Sequence, residues 1–94
     1  MSGIWLSPNE ARQALAVGRG EGIKIALIDS GVEVGHPAFT GVTLADDLAI
    51  VHRDDGLIIE EGEGRDVFGH GTAVAWSVLQ TAPDVQLGSF RVLD

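Results

Sequence analysis

The period of the hydrophobic positions shifts along this chain, and each shift marks an element. Ser7, Pro8 and Glu10 form a helix start, with a capping hydroxyl, a proline suited to the first turn, and a glutamate three residues after the serine. A helix over Pro8 to Val17 follows, with Ala11, Ala14, Leu15 and Val17 as its apolar stripe and Gly18, Gly20 and Gly22 as the turn that ends it. Ile23 to Ile28 is a β-branched run whose lone charge lies near its start, the pattern of a strand buried on both faces of a parallel sheet. Asp29-Ser30-Gly31 terminates it. Val32 to Asp47 carries little periodicity and predicts loop with at most a turn of helix. Leu48 to His52 predicts a second strand, and Asp54-Asp55-Gly56 a hairpin turn into Leu57-Ile58-Ile59. Glu60 to Arg65 is charged and predicts exposed loop. Helical spacing returns from His70 to Thr81, with Val74, Val78 and Leu79 on one face and Ala75 beside them, until Pro83 stops it. Val85 to Leu93 alternates as a last strand. Strands alternating with helices predict an α/β layered architecture with a largely parallel sheet.

Composition narrows what such a domain does. The chain has 94 residues and a formal charge of −8, with 45% apolar positions. That is one domain with enough apolar surface for a core, too acidic to bind a nucleic acid or an anionic membrane face. No apolar run approaches the roughly 20 residues of a membrane span, and Met1 to Ser7 lacks the regions of a secretory signal, so a cytoplasmic location is expected. The absence of cysteine excludes disulfides, thiolate metal sites and cysteine nucleophiles together. The three glycines after the first helix do not make a phosphate cradle, because such a loop follows a strand and opens a helix.

In an open α/β sheet, functional groups gather at the carboxyl ends of strands and the amino ends of the helices that follow. Asp29 stands directly after the apolar strand, and His70 opens a helix between Gly69 and Gly71. A carboxylate beside an imidazole orients it and supports it as a general base. Bland alternatives exist for both: a strand-end Asp is often a cap, and a helix-start His is often a surface donor.

The strings around these residues are more specific. Asp29-Ser30-Gly31-Val32 followed by His36-Pro37, and Gly69-His70-Gly71-Thr72-Ala73-Val74-Ala75, resemble the Asp and His motifs of the subtilisin-like serine peptidases. They occur in that family's order, 41 residues apart, and the likeness runs from about Trp5 to Asp94. The resemblance implies a partial subtilisin-like three-layer fold, incomplete in these residues, in which residues 1–94 form the amino-terminal part of a peptidase domain. It implies that Asp29 orients and stabilises His70, and that His70 takes the proton of a serine nucleophile and returns it to the leaving amine. The family's serine motif, of the Gly-Thr-Ser-Met-Ala type, and its oxyanion-hole amide lie downstream of the histidine. Neither Ser77, inside the helix, nor Ser89, inside the last strand, has that context.

Some positions depart from the family pattern. Trp76 stands where a small glycine is usual, and Ala38 follows His36-Pro37 where calcium-binding members often carry Asp. The short Thr81 to Asp84 connection leaves no room for the family's calcium loop, so neither calcium nor another cofactor or metal is expected. His36 reads as a structural family position and His52 as a strand end, neither in a zinc spacing. Between Asp46 and Asp66, eight acids against Arg53 and Arg65 contribute −6 of the −8. That run reads as a solvated face, or as a loop lining the peptide groove, with Asp66 its nearest contact to a basic substrate residue.

The expected activity is peptide-bond hydrolysis by an Asp-His-Ser triad whose serine and oxyanion hole come from outside these residues. The expected partners are a peptide or protein substrate and a companion segment or chain, or self-association through unpaired strand edges and uncovered apolar faces. The alternative is a non-catalytic module that keeps the scaffold to bind a peptide or regulate a partner.

Overall fold

The structure, a computed structural model, describes residues 6–93; Trp5 and Asp94, the ends of the family likeness, lie outside them. Helix α1 spans Pro8–Val17, and its capping box is complete: Glu10 N donates to Ser7 Oγ at 3.2 Å and Ser7 N to Glu10 Oε1 at 3.1 Å. Strands β1 (Lys24–Asp29), β2 (Asp46–Arg53), β3 (Gly56–Glu61) and β4 (Gln86–Arg91) form a single sheet in the order β1-β4-β2-β3. β4 lies parallel to both neighbours, and β3 returns antiparallel on β2. The hairpin turn is Asp54-Asp55, with Asp54 in the left-handed region at φ +51, and a single turn of 3-10 helix at Pro37–Phe39 interrupts the long loop before β2. Helix α2, His70–Thr81, crosses from the hairpin to β4 and packs against one face of the sheet.

The core lies between α2 and that face. Val32, Phe39, Ala75 and Leu87 are buried at its centre, with Ile25, Leu27, Val78 and Leu79 packed around them. α2 approaches the sheet through Gly71 and Ala75, its two buried positions, so Trp76 projects outward. The amino ends of β1 and β4 are held together by the preceding turns, where Arg19 pairs with Asp84 at 2.7 Å and Gln86 N donates to Ile23 O at 2.8 Å.

Three expectations need correction. Among the described residues the apolar run of β1 is covered on one face only: Ile25 and Leu27 face α2, while Ile28 on the opposite face is exposed. The stripe of α1 is not buried against these residues, with Leu15 and Val17 both exposed. Glu60 and Glu61 belong to strand β3, opposite Ala49 and Leu48, and not to the loop. β3 is an edge strand among the described residues, where charged side chains face water at little cost and blunt the edge.

Candidate active site

Parallel pairing of β1 with β4 brings the carboxyl end of β1 beside the start of α2. Asp29 closes the β1 ladder, where its carbonyl accepts Val92 N at 2.9 Å, and its side chain points to the face that α2 covers. His70 is the first residue of α2, and its Nδ1 donates to Asp29 Oδ2 at 2.8 Å and to Oδ1 at 3.0 Å. A carboxylate can only accept, so Nδ1 carries a proton in this contact, and in a neutral ring the lone pair is then on Nε2. The carboxylate is sheltered and the imidazole open, at 18% and 71% side-chain exposure. The hydrogen bond to His70, aided by the Ser30 N–H at 2.7 Å, holds the Asp29 carboxyl below its ordinary range against a smaller opposing effect of burial. This is an imidazole oriented by a sheltered carboxylate and otherwise open to solvent.

Two glycines make the approach possible. Gly31 has φ +103, and a Cβ there would stand 2.0 Å from Arg65 O; a Cβ on Gly71 would stand 2.1 Å from Gly31 O. The loop after β1 and the first turn of α2 therefore touch backbone to backbone, which only glycine allows.

Beneath this contact lies a network that the sequence did not reveal. Asp66 Oδ1 accepts Ser30 Oγ–H at 2.7 Å, Phe68 N–H at 3.0 Å and Gly69 N–H at 2.7 Å. Its Oδ2 accepts Thr72 N–H at 2.8 Å and Thr72 Oγ1–H at 2.5 Å. Burial alone would push this carboxyl up, but hydrogen bonds from the Thr72 and Ser30 side chains and from the Thr72 and Gly69 amides outweigh it and hold it far below the usual carboxylate range. Both oxygens of Asp66, the residue expected nearest a basic substrate side chain, are engaged by donors of the chain itself. An Asp three residues before a glycine that opens a helix is the available signal, because its side chain can take the amides that a glycine N-cap leaves free.

Of the other acids in the run, Glu60 and Glu63 lie on the solvated surface beside arginines, whereas Asp47 is part-buried and bound by the chain. Glu60 pairs with Arg53 at 3.0 Å, Glu63 lies 3.9 Å from Arg65, and Asp47 Oδ2 accepts Gly64 N at 2.7 Å.

A model described as the subtilase family, peptidase S8, matches residues 20–92, which include both Asp29 and His70. The chain belongs to the subtilase family. No curated protein and no solved structure gives a significant match. Membership makes the chain part of a family of serine peptidases, and the hydrogen-bonded Asp29 and His70 stand within the strings that resemble the subtilase Asp and His motifs.

No serine among the described residues bonds to this subtilase histidine. Ser77 Oγ donates to Ala73 O at 3.2 Å within α2, Ser30 Oγ serves Asp66 and Gly71 N, and Ser89 is buried with its hydroxyl unpartnered. His36 Nδ1 accepts Ala38 N at 3.0 Å in the 3-10 turn, and His52 is exposed on β2. No three His, Asp or Glu side chains converge on a metal position, and no helix is long and apolar enough to cross a membrane, among the described residues.

Proposed function

We propose that this chain supplies the Asp-His half of a subtilisin-like serine endopeptidase, with Asp29 as orienting carboxylate and His70 as general base, and with the serine and oxyanion hole coming from polypeptide beyond these residues. The observation that carries the reading is the His70 Nδ1 to Asp29 bond of 2.8 Å at the carboxyl end of a parallel strand. With Nδ1 engaged, Nε2 of the exposed ring is the atom that would take the hydroxyl proton of a serine brought within about 3 Å. Asp29 would stabilise the imidazolium so formed without itself being protonated, consistent with its lowered carboxyl range. The same imidazolium then returns the proton to the leaving amine, and hydrolysis of the acyl-enzyme repeats the cycle with water.

The companion polypeptide would lie against surfaces this chain leaves open. Ile28, Leu57 and Ile59 are exposed, and β1 pairs with β4 alone among the described residues. An apolar sheet face and a free parallel edge suit further strands and helices of the same fold.

Fluorophosphonate labelling of the protein as isolated from its source tests this. Labelling is expected on a serine of the associated polypeptide and is lost with His70→Ala, while the 94-residue chain alone stays unlabelled. An intact native assembly that never labels would overturn the catalytic reading in favour of a peptide-binding module on the same scaffold.

A further inference from the structure

His70 is poorly held by packing. Its side chain is 71% exposed, it lies between two glycines, and Gly69 before it has φ +87 and no side chain with which to cap α2. Apart from its bond to Asp29, its place is therefore set by the backbone around it, and that backbone is tied down by hydrogen bonds. Gly69 N and Thr72 N donate to Asp66, and Gly71 N donates to Ser30 Oγ, which itself donates to Asp66. Ser30 is the residue after Asp29. One carboxylate thus joins the neighbour of the orienting acid to both flanks of the base, and it meets five donors and no acceptor.

We propose that Asp66 is the positioning residue of the Asp29–His70 pair: it fixes the first turn of α2 against the loop after β1, and so sets the reach of His70 Nδ1 to Asp29. This rests on the reading of that pair as base and orienter. Asp66 forms no hydrogen bond with either member, so it acts through Ser30, Gly69, Gly71 and Thr72. Thr72 extends the tie, since its Oγ1 accepts Glu33 N at 2.9 Å and so holds the same loop further on. An amide in place of the carboxylate would aim its NH2 at one of two donor sets, either Thr72 N–H and O–H or Ser30 O–H with Phe68 and Gly69 N–H. One side of the tie would open.

The test reads the imidazole tautomers of Asp66→Asn by nitrogen-15 NMR of the 94-residue chain, at a pH where imidazole is neutral and at low ionic strength, where a net charge of −8 keeps copies apart. In the unmodified chain His70 is expected in the Nδ1–H form. His36, whose Nδ1 accepts Ala38 N–H, is expected in the Nε2–H form and serves as an internal control. In Asp66→Asn the Nδ1–H form of His70 should cease to dominate, with His36 unchanged. A folded Asp66→Asn chain that keeps His70 in the Nδ1–H form overturns the proposal, since a purely structural role would lower stability and leave the tautomer alone. Should Asp66→Asn fail to fold, Ser30→Ala is read in the same way, with faster exchange of the His70 Nδ1 proton supporting the proposal and unchanged exchange overturning it. If the His70 spectrum of the unmodified chain does not respond to Asp29→Asn, the pair itself is absent, and the functional reading falls together with this one.

Discussion

A Cβ on Gly71 would stand 2.1 Å from the carbonyl oxygen of Gly31, so the loop that follows Asp29 and the turn that begins with His70 meet at bare backbone. This contact lets Asp29 and His70 come together. Gly71→Ala should push α2 away from β1, cost about 1–3 kcal/mol as overpacking does, and break the His70 to Asp29 bond. Gly31→Ala should do the same, with strain at φ +103 added. Gly35, where nothing lies within 4 Å of the place a Cβ would take, is the control, and Gly35→Ala should stay within about 0.5 kcal/mol. Urea midpoints and the His70 tautomer measure both effects; equal midpoints for Gly71→Ala and Gly35→Ala would contradict this account.

Under the proposed function, Asp29→Asn and His70→Ala should each remove most of the peptidase turnover with little change in KM. In serine peptidases generally, subtilisins among them, losing a triad member costs about four to six orders of magnitude in kcat. Steady-state kinetics on a peptide substrate decide the matter. A variant that keeps more than about a tenth of the turnover would remove its residue from the mechanism.

Much of this site was legible because its parts are local. A strand end and a helix start are visible in periodicity, and Asp29 and His70 sit at those points within short strings that resemble a known family. The capping box of Ser7 and Glu10 spans three residues and could be read directly. Asp66 could not be read in the same way, because it lies in an acidic run and its partner Ser30 is 36 residues away. Water and hydroxyl donors leave the same trace in a sequence, so a carboxylate bound by the chain looked like one bound by solvent. Coverage of β1 and α1 was hidden for another reason: apolar residues report that a face can be buried, and what lies upon it is settled by other elements.

Acid should unfold the chain through Asp66. Its carboxyl is held far below the ordinary range in the folded state, and Asp29 is lowered in the same direction. A depressed folded value stabilises the protein above the unfolded value, near pH 3.9, and that stabilisation disappears as pH falls from there toward the folded value. Urea midpoints should hold steady from about pH 7 to 5 and fall steeply below about 4. Asp66→Asn should be less stable at neutral pH and show a shallower acid limb. An unchanged limb in that variant would place the acid sensitivity elsewhere.

Calcium and EDTA should leave the melting temperature unchanged. Only Ala82 and the residues up to β4 connect α2 onward, Ala38 offers no carboxylate in the 3-10 turn, and no three ligands converge among the described residues. A site of about micromolar affinity would add about 4 kcal/mol at millimolar metal, an effect scanning calorimetry resolves easily. A rise of several degrees with calcium would show that acids between Asp46 and Asp66 gather into a site when the metal is present.

The chain on its own should self-associate, and salt should strengthen that association. Ile28 is 70% exposed and Ile59 66%; both stand on the sheet face opposite α2, in line with Phe90 and Leu48 of β4 and β2 and with Ile50. Contiguous apolar surface of this kind draws proteins together, and the edges of β1 and β3, without a further strand among the described residues, add unpaired backbone groups. The net charge of −8 opposes contact between copies, and added salt screens it within about 10 Å at 0.1 M. Sedimentation velocity should therefore show mostly monomer at low ionic strength and larger species as salt rises. Charge on the open face reverses the balance, so Ile28→Lys with Ile59→Lys should remain monomeric across the same range while keeping the buried core and the His70 tautomer. A double variant that associates as the parent does would show that another surface, such as the exposed stripe of α1 with Leu15 and Val17, carries the contact.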